Sequence, residues 1–288
     1  MIEMELSGKT KAVILIGNPV EHSMSPKMHS NAFKEVGINA IYIATKVEKN
    51  NVKAAVESIT ALNFLGANVT IPHKVAVMKF VDEIDPIARD IGAVNTIVNR
   101  EGKLFATNTD GLGFMRSMKQ AGIKLKGMNC VMVGAGGVAR AISFNLLQEI
   151  NHLKITDIKK KVIDGLVSNL QQRYSNKVSS FNPSKNVLKT ELKKADLLLN
   201  CTPIGMFPKH EESPVPKEFL RNDLVVFDAI YNPIETLLIK NAKEEGAKAI
   251  GGSKMFLYQG VEAFELWTNK KAPIKLMEKI INENLTKK

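Results

Sequence analysis

Residues 130–140 read CVMVGAGGVAR, and the apolar pattern runs on to Leu147. A strand-length run ends at Gly134, and a helical pattern begins at Val138. Strand, glycine turn and helix in that order form a G-x-G-x-x-A variant of the dinucleotide fingerprint, carried by Gly134, Gly136 and Ala139. The first glycine permits the tight turn. The second lets the backbone approach a pyrophosphate, and a small residue at the third position lets helix and strand pack closely. The helix start offers free N–H groups and the positive end of its dipole to the phosphates. The loop Gly134, Ala135, Gly136, Gly137, Val138 and Ala139 is therefore expected to hold a dinucleotide. Asp157 ends the next predicted strand, about twenty residues on, where NAD sites place a carboxylate on the ribose 2′-hydroxyl.

A carboxylate at Asp157 would repel a 2′-phosphate, which favours NAD. Lys159, Lys160 and Lys161 follow and could neutralise such a phosphate, while position 158, where a stacking arginine would point to NADP, is isoleucine. The expected cofactor is NAD or NADP, with NAD favoured.

Outward from this stretch the pattern repeats. Further strands are predicted at Leu153 to Thr156, Val178 to Phe181, Leu197 to Asn200, Val225 to Phe227 and Lys248 to Ile250. Helical patterns lie at Val138 to Ile150, Lys160 to Tyr174, Leu188 to Lys194 and Glu235 to Glu245. Six strands with helical crossovers argue for a doubly wound parallel sheet of Rossmann type. Upstream, around residues 1–110, runs a separate strand–helix alternation. It opens with Lys11 to Gly17, and its third strand lies in Gly66 to Lys74, GANVTIPHK. There Val69, Thr70 and Ile71 favour extended backbone, and Pro72 stops the ladder because it has no N–H to donate. Asn68 and Thr70 should share a face, since side chains alternate. Lys74 should lie just past the strand end, with His73 turned away from it. An amide, a hydroxyl and an ammonium on one segment suit a small, polyhydroxylated anion; a strand end with a solvated lysine is the plain alternative. Two late helices, Met255 to Trp267 and Ile274 to Leu285, have no strand to follow and are expected to pack back on the first domain. The expected domains are residues 1–110 plus 255–288, and 111–254.

The chain has 288 residues, 44% of them hydrophobic, with a net charge of +11. That length is comfortable for two cores. The lysines are scattered, no aromatic residues are interleaved with them, and no nucleic-acid motif appears; anionic small molecules are the better reading of the charge. The start, MIEMELSGK, has no apolar core of a signal peptide. The most apolar long stretch is the strand–turn–helix itself, so no membrane span is expected. Cys130 and Cys201 lack metal-ligand spacing and suggest a reducing cytoplasm. No metal site is expected among the five histidines.

With GNPVEHSMSPKMH, GANVTIPHK, IGAVNTI, NTDGLGF, GAGGVAR, NCTPIGM, IYNPIET and YQGVEAFELW in order along nearly its whole length, the chain resembles the shikimate dehydrogenase family, including its quinate/shikimate branch. The resemblance implies two α/β domains: an N-terminal three-layer substrate domain and a Rossmann-type NAD(P) domain. It implies NAD(P)-dependent, reversible reduction of 3-dehydroshikimate to shikimate, in the pathway to the aromatic amino acids. Lys74 and Asp110 match the catalytic pair. Ser23 and Ser25 match the positions that hold the substrate carboxylate, with Tyr231 as a further donor. Asn68, Thr70, Asn95, Asp110 and Gln259 match those that hold the ring hydroxyls. Without the resemblance, the serine pair reads as a helix cap, and Asn95 and Asp110 as turn or cap residues. Thr202, Met206, Gly252 and Met255 match the nicotinamide end. The family's usual G-L-G-M run reads Gly252, Ser253, Lys254, Met255 here, and Lys254 is expected to face solvent.

Two alternatives frame this reading. A quinate/shikimate dehydrogenase with NAD preference would differ beside the substrate carboxylate. An inactive ligand-sensing regulator would be expected to lack Lys74 or Asp110, and both are present. Expected partners are small molecules only: shikimate, 3-dehydroshikimate or quinate. The chain is expected to act in the cytoplasm as a monomer or homodimer, with opening and closing between the domains gating the site.

Overall fold

The structure, a computed structural model, describes residues 6–285. The reading of the start, MIEMELSGK, therefore falls partly outside the described residues. The described chain divides into two compact units. One comprises the chain up to Thr109 together with Gln259 onward; the other is Asp110–Tyr258. The return to the first unit thus comes at Gln259, four residues after the expected position, inside a helix.

The first unit begins with β1 (Lys11–Gly17), α1 (Ser25–Glu35), β2 (Ala40–Lys46), α2 (Val52–Ala61) and β3 (Gly66–Val69). β1 pairs in parallel with both β2 and β3. Alternation on β1 decides the two faces: Ile14 and Ile16 join Val52, Val56 and Ile59 of α2 in one apolar cluster, so Val13 and Leu15 point to the other side. The segment after β3 forms a short 3-10 helix, Ala76–Phe80.

Then come β4 (Glu83–Ile84), α3 (Pro86–Ile91), β5 (Thr96–Arg100) and β6 (Lys103–Thr107). Asp85 caps α3, its carboxylate accepting from the amides of Ile87 and Ala88. β5 runs antiparallel to β3 and β6, and the sheet order is β2-β1-β3-β5-β6-β4. Glu101–Gly102 has the composition of a tight hairpin turn, and β6 pairs back on β5 as that composition predicts, which makes the sheet mixed.

The chain enters the second unit at the start of α4 (Thr109–Gln120). It continues through β7 (Asn129–Val133), α5 (Gly137–Leu146), β8 (His152–Thr156), α6 (Lys160–Tyr174), β9 (Val178–Ser180), α7 (Lys185–Leu192), β10 (Leu197–Asn200), β11 (Val225–Asp228), α8 (Leu237–Glu244) and β12 (Lys248–Gly251). All six strands are parallel, in the order β12-β11-β10-β7-β8-β9. This is the doubly wound order, with the reversal at β7. Near-continuous apolar strands such as Leu197 to Leu199 fit a parallel sheet buried on both faces.

The last helices are α9 (Gly252–Thr268) and α10 (Ile274–Leu285). α10 packs on α1 and buries Met277, Ile280 and Ile281. In the first-unit part of α9, Trp267 donates its indole N–H to Ile97 O at 2.9 Å. Gly66 makes room for it, because a Cβ there would come within 2.7 Å of the indole nitrogen.

Candidate active site

In the first unit, two of the expected substrate residues, Asn68 and Asn95, meet in one hydrogen-bond network. Asn68 is 7% exposed. Its amide donates to Asn95 O and to Thr96 Oγ1, both at 3.1 Å, and its Oδ1 accepts from the Tyr42 phenol at 2.8 Å. Asn95 Oδ1 accepts from the Thr109 amide at 2.8 Å, from Thr96 Oγ1 at 3.0 Å and from Thr109 Oγ1 at 3.2 Å. Buried amides bonded in this way are held in one orientation. Tyr42, Thr96 and Thr109 were not foreseen as site residues. Thr96 and Thr109 sit beside Asn95 and Asp110 in the IGAVNTI and NTDGLGF runs, the only signal for them. Tyr42, on an apolar strand, reads from sequence as core.

At the carboxylate end, Ser23 Oγ accepts the Ser25 amide at 3.2 Å. The cap residue of α1 is Met24, whose side chain makes no capping bond, and the amide at the helix start, on Ser25, is the one that Ser23 Oγ meets. Ser25 is buried, 7% exposed.

β3 ends at Val69, but the Thr70 amide still donates to Ile16 O at 2.9 Å, prolonging the pairing by one residue. The methyl of Thr70 lies against Gly17, where a Cβ would approach it to 2.3 Å. His73 turns inward, 1% exposed, with Nε2 2.7 Å from Val47 O, so it serves the fold. Lys74 is half-buried, and its carbonyl accepts from the Val94 amide at 2.9 Å. Gln259 opens the returning part of the first unit, and next to it Gly260 fits against Met28 of α1, where a Cβ would come within 2.5 Å.

In the second unit, Asp110 is the second residue of α4, in the first turn where the helix dipole favours a carboxylate. Lys74 and Asp110 thus belong to different units. The glycine loop follows β7. Gly134 has φ of 101°, and a Cβ on it would lie 2.8 Å from the Cys201 backbone, so this turn requires glycine. Gly136 and Gly137 have nothing within 4 Å of a notional Cβ, leaving their backbone open to a ligand. Ala139 is fully buried and Val138 is 37% exposed. Asp157 closes the loop: Oδ2 accepts from the Ala135 amide and Oδ1 from the Lys159 amide, each at 2.8 Å. Two charge-assisted bonds fix this carboxylate at the rim. The donor set and the open glycine backbone fit a dinucleotide.

Beside the glycine loop, Asn200 and Asp228 tie two strand ends together. Asn200 donates to Asp228 Oδ1 at 3.0 Å and accepts from the Thr202 hydroxyl at 2.7 Å. Asp228 also accepts from the Ile230 amide and from Thr236 Oγ1. Burial pushes its carboxyl up to about 6 against these three donors. Neither residue was foreseen as part of the site, yet together they hold Thr202 and the loop bearing Tyr231. Tyr231 stacks on Phe256 with centroids 5.0 Å apart. Gly252 is pressed against Ala229 O, 2.3 Å from a notional Cβ. Met206 is 46% exposed, Met255 is buried, and Lys254 lies at the surface. Among the described residues, no group of three or more His, Cys, Asp or Glu is placed to hold a metal ion. No described helix is long and apolar enough to cross a membrane.

A doubly wound sheet with an open glycine loop, joined to a unit lined by buried amides and hydroxyls, defines a dinucleotide-dependent oxidoreductase scaffold. Residues 15–97 match the shikimate dehydrogenase substrate-binding domain, and residues 252–281 the shikimate 5′-dehydrogenase C-terminal domain. A shikimate dehydrogenase (NADP(+)) of Methanocaldococcus jannaschii is 42% identical over 98% of this chain and 100% of its own length. A crystal structure of shikimate dehydrogenase in complex with NADP+ superposes with a TM-score of 0.92 at 39% identity, covering 99% of both chains. The enzyme of Listeria monocytogenes, in complex with shikimate and NAD, gives 0.93 at 34% identity, covering 97% of this chain and 99% of that one. The chain belongs to the shikimate dehydrogenase family.

Proposed function

We propose that the chain catalyses the reversible, NAD(P)-dependent reduction of 3-dehydroshikimate to shikimate in the cytoplasm, as a monomer or homodimer. The observation that carries this reading is the network joining Asn68 and Asn95 in the unit that also bears Lys74. Paired acceptors and donors in a fixed geometry suit a ring with several hydroxyls.

A bound nicotinamide supplies the hydride, which reaches the ketone carbon while the C=O π bond breaks. The Lys74 ammonium donates the proton that the carbonyl oxygen then needs, and stabilises charge there as it develops. Asp110 orients that ammonium and a neighbouring ring hydroxyl. Ser23, Ser25 and Tyr231 hold the carboxylate. Asn68, Thr70, Asn95 and Gln259 hold the hydroxyls. Thr202, Met206, Gly252 and Met255 line the nicotinamide.

For the cofactor, we favour NAD with NADP also used. Asp157 is fixed at the rim, and its remaining lone pairs suit ribose hydroxyls, whereas its charge opposes a 2′-phosphate. The NADP(+) in the names of curated relatives pulls the other way, and exposed Lys159, Lys160 and Lys161 could offset that charge.

Shikimate and quinate oxidation should be followed with each cofactor. Lys74→Ala is expected to cut kcat for shikimate by about a thousandfold, within the range for loss of a proton donor that also stabilises charge, with a smaller change in KM. A near-normal kcat removes Lys74 from the chemistry, and faster turnover of quinate moves the substrate. A lower KM for NADP at equal kcat reverses the cofactor preference.

A further inference from the structure

We propose that Asp228, acting through Asn200, is a positioning residue for the dinucleotide: the pair locks residues 201–204 against the first glycine of the loop. Cofactor affinity then follows the bond between these two side chains. This rests on the dinucleotide binding proposed above, and every residue involved lies in the second unit.

Three strands of the second sheet end on one rung. Val133 of β7, Asn200 of β10 and Asp228 of β11 are register partners, each the last residue of its strand. Open α/β sheets bind ligands at these carboxyl ends. Past the rung the chain turns at once into Gly134, Cys201 and Ala229. Asn200 and Asp228 are both fully buried. A carboxylate is costly to bury unless donors surround it, so its partners here carry the reason for its presence.

Main-chain amides fix the direction of every bond in the cluster, because they can only donate. Asn200 Oδ1 accepts from Thr202 N at 3.0 Å, so Nδ2 is the atom that faces Asp228 Oδ1 at 3.0 Å and Ile204 O at 3.3 Å. Asp228 Oδ1 also takes the Ile230 amide at 3.0 Å. Thr202 Oγ1 accepts from the Ile204 amide at 3.2 Å and gives its proton to Asn200 Oδ1 at 2.7 Å. Thr202 therefore has no hydroxyl proton to offer a cofactor, and lines the site through its main chain and methyl. That methyl and the Cys201 carbonyl press on Gly134, 2.9 and 2.8 Å from where a Cβ would stand. The Asn200–Asp228 bond thus orients the amide that holds the β10 loop over the tightest turn of the glycine motif.

A second bond of Asp228 separates positioning from stability. Its Oδ2 accepts from Thr236 Oγ1 at 2.6 Å, and Thr236 caps α8 by accepting from the Ile239 amide at 3.3 Å. Thr236→Val removes that cap and that donor but leaves the Asn200 bond in place. Asp228→Asn keeps an oxygen for Asn200 and Ile230, because their two N–H groups select the carbonyl end of the new amide. Its NH2 then meets Thr236 Oγ1, which has a lone pair to spare. Asp228→Ala and Asn200→Ala break the bond outright.

Binding of NADH and NADPH should be titrated by their fluorescence, beside a thermal melt of each variant. For the cofactor that the unmodified protein binds more tightly, Asn200→Ala and Asp228→Ala are expected to raise Kd about tenfold or more, the effect of losing a hydrogen bond to a charged group. Thr236→Val should lower the melting temperature through the lost cap while Kd stays within about twofold. Asp228→Asn should recover most of the loss, with Kd within about threefold of the parent. Kd values that track melting temperature across the four variants, whether or not the Asn200 bond is kept, would reduce the pair to a structural role and overturn the proposal. So would an unchanged Kd in Asn200→Ala, which carries the test by itself if the Asp228 variants do not fold. Failure of the unmodified protein to bind either dinucleotide would instead sink the proposed function, before any variant is compared.

Discussion

His29 is enclosed by rings. Besides Tyr42, the Trp267 ring meets it edge-on at 5.2 Å, and Phe33 and Phe264 lie at 6.4 and 6.5 Å. Neither ring nitrogen has a hydrogen-bond partner. Leaving such groups unpaired costs about 1–3 kcal/mol each, and burial pushes the imidazole down to about 3. The sign of the pH effect follows. In the unfolded chain the ring takes up a proton near pH 6.5, but in the fold it does not. Stability from this residue is therefore complete above that pH and is lost as pH falls toward 3. Between pH 6.5 and 5 the loss is about 2 kcal/mol. Asp228 acts oppositely. Its raised carboxyl contributes stability that is present below the unfolded value and lost as pH rises through about 6. Trp267 is the only tryptophan, so its emission reports unfolding of the first unit. Urea melts by that signal should show His29→Phe losing about 2 kcal/mol less than the parent between pH 7.5 and 5. Parallel losses would show that His29 does not set the acid limb.

At the scale of elements, the glycine loop separates two reasons for lacking a side chain. Gly134 is required by the fold, through its positive φ and the Cys201 backbone beside it. Gly136 has open space and an extended backbone, so only a ligand would object to a Cβ there. Gly134→Ala should therefore destabilise the second unit by about 1–3 kcal/mol. Gly136→Ala should leave the melting temperature near the parent value while raising the dinucleotide KM about tenfold or more. If both variants melt alike and bind alike, the distinction is wrong.

The same loop shows what a sequence can announce. Its strand, turn and helix are contiguous, and each obeys a local rule. The order of the second sheet follows because parallel strands need crossovers. The first sheet was harder to read at β4, which has two residues and whose parallel place beside β6 is set by tertiary pairing, whereas the hairpin of β5 and β6 carries its own local turn signal at Glu101–Gly102. In the site, Asn68 and Asn95 were legible from their family motifs. The bond from the Tyr42 phenol to Asn68 was not. It comes from a strand residue whose apolar neighbours mark it as core, and a phenol's partner depends on which strands fold beside it.

At the scale of the whole molecule, a net charge of +11 favours approach of an anionic acid and a phosphate-bearing cofactor. The ion pairs among exposed lysines and carboxylates, such as Lys160–Asp164 and Lys53–Glu57, add little to stability. Added salt should therefore raise KM more than it changes melting. From about 20 to 300 mM NaCl, an increase of roughly two- to fivefold in KM for shikimate is expected, because the screening length falls well below the size of the protein. A flat KM across that range would leave the charge without a role in capture.

The first unit is not continuous in the chain, and that bears on how the protein is made. Its sheet and α1 leave the ribosome early, but the helices that cover α1 and bring in Trp267 come last, after the entire second unit. During synthesis at about 5–20 residues per second, Met28, Phe33 and their neighbours wait for the time needed to translate an intervening domain. An early-finished second unit is thus inserted into an unfinished first one. Truncation near the C-terminus would strand the nascent chain with an uncovered apolar face, a natural handle for chaperones and proteases that police incomplete products.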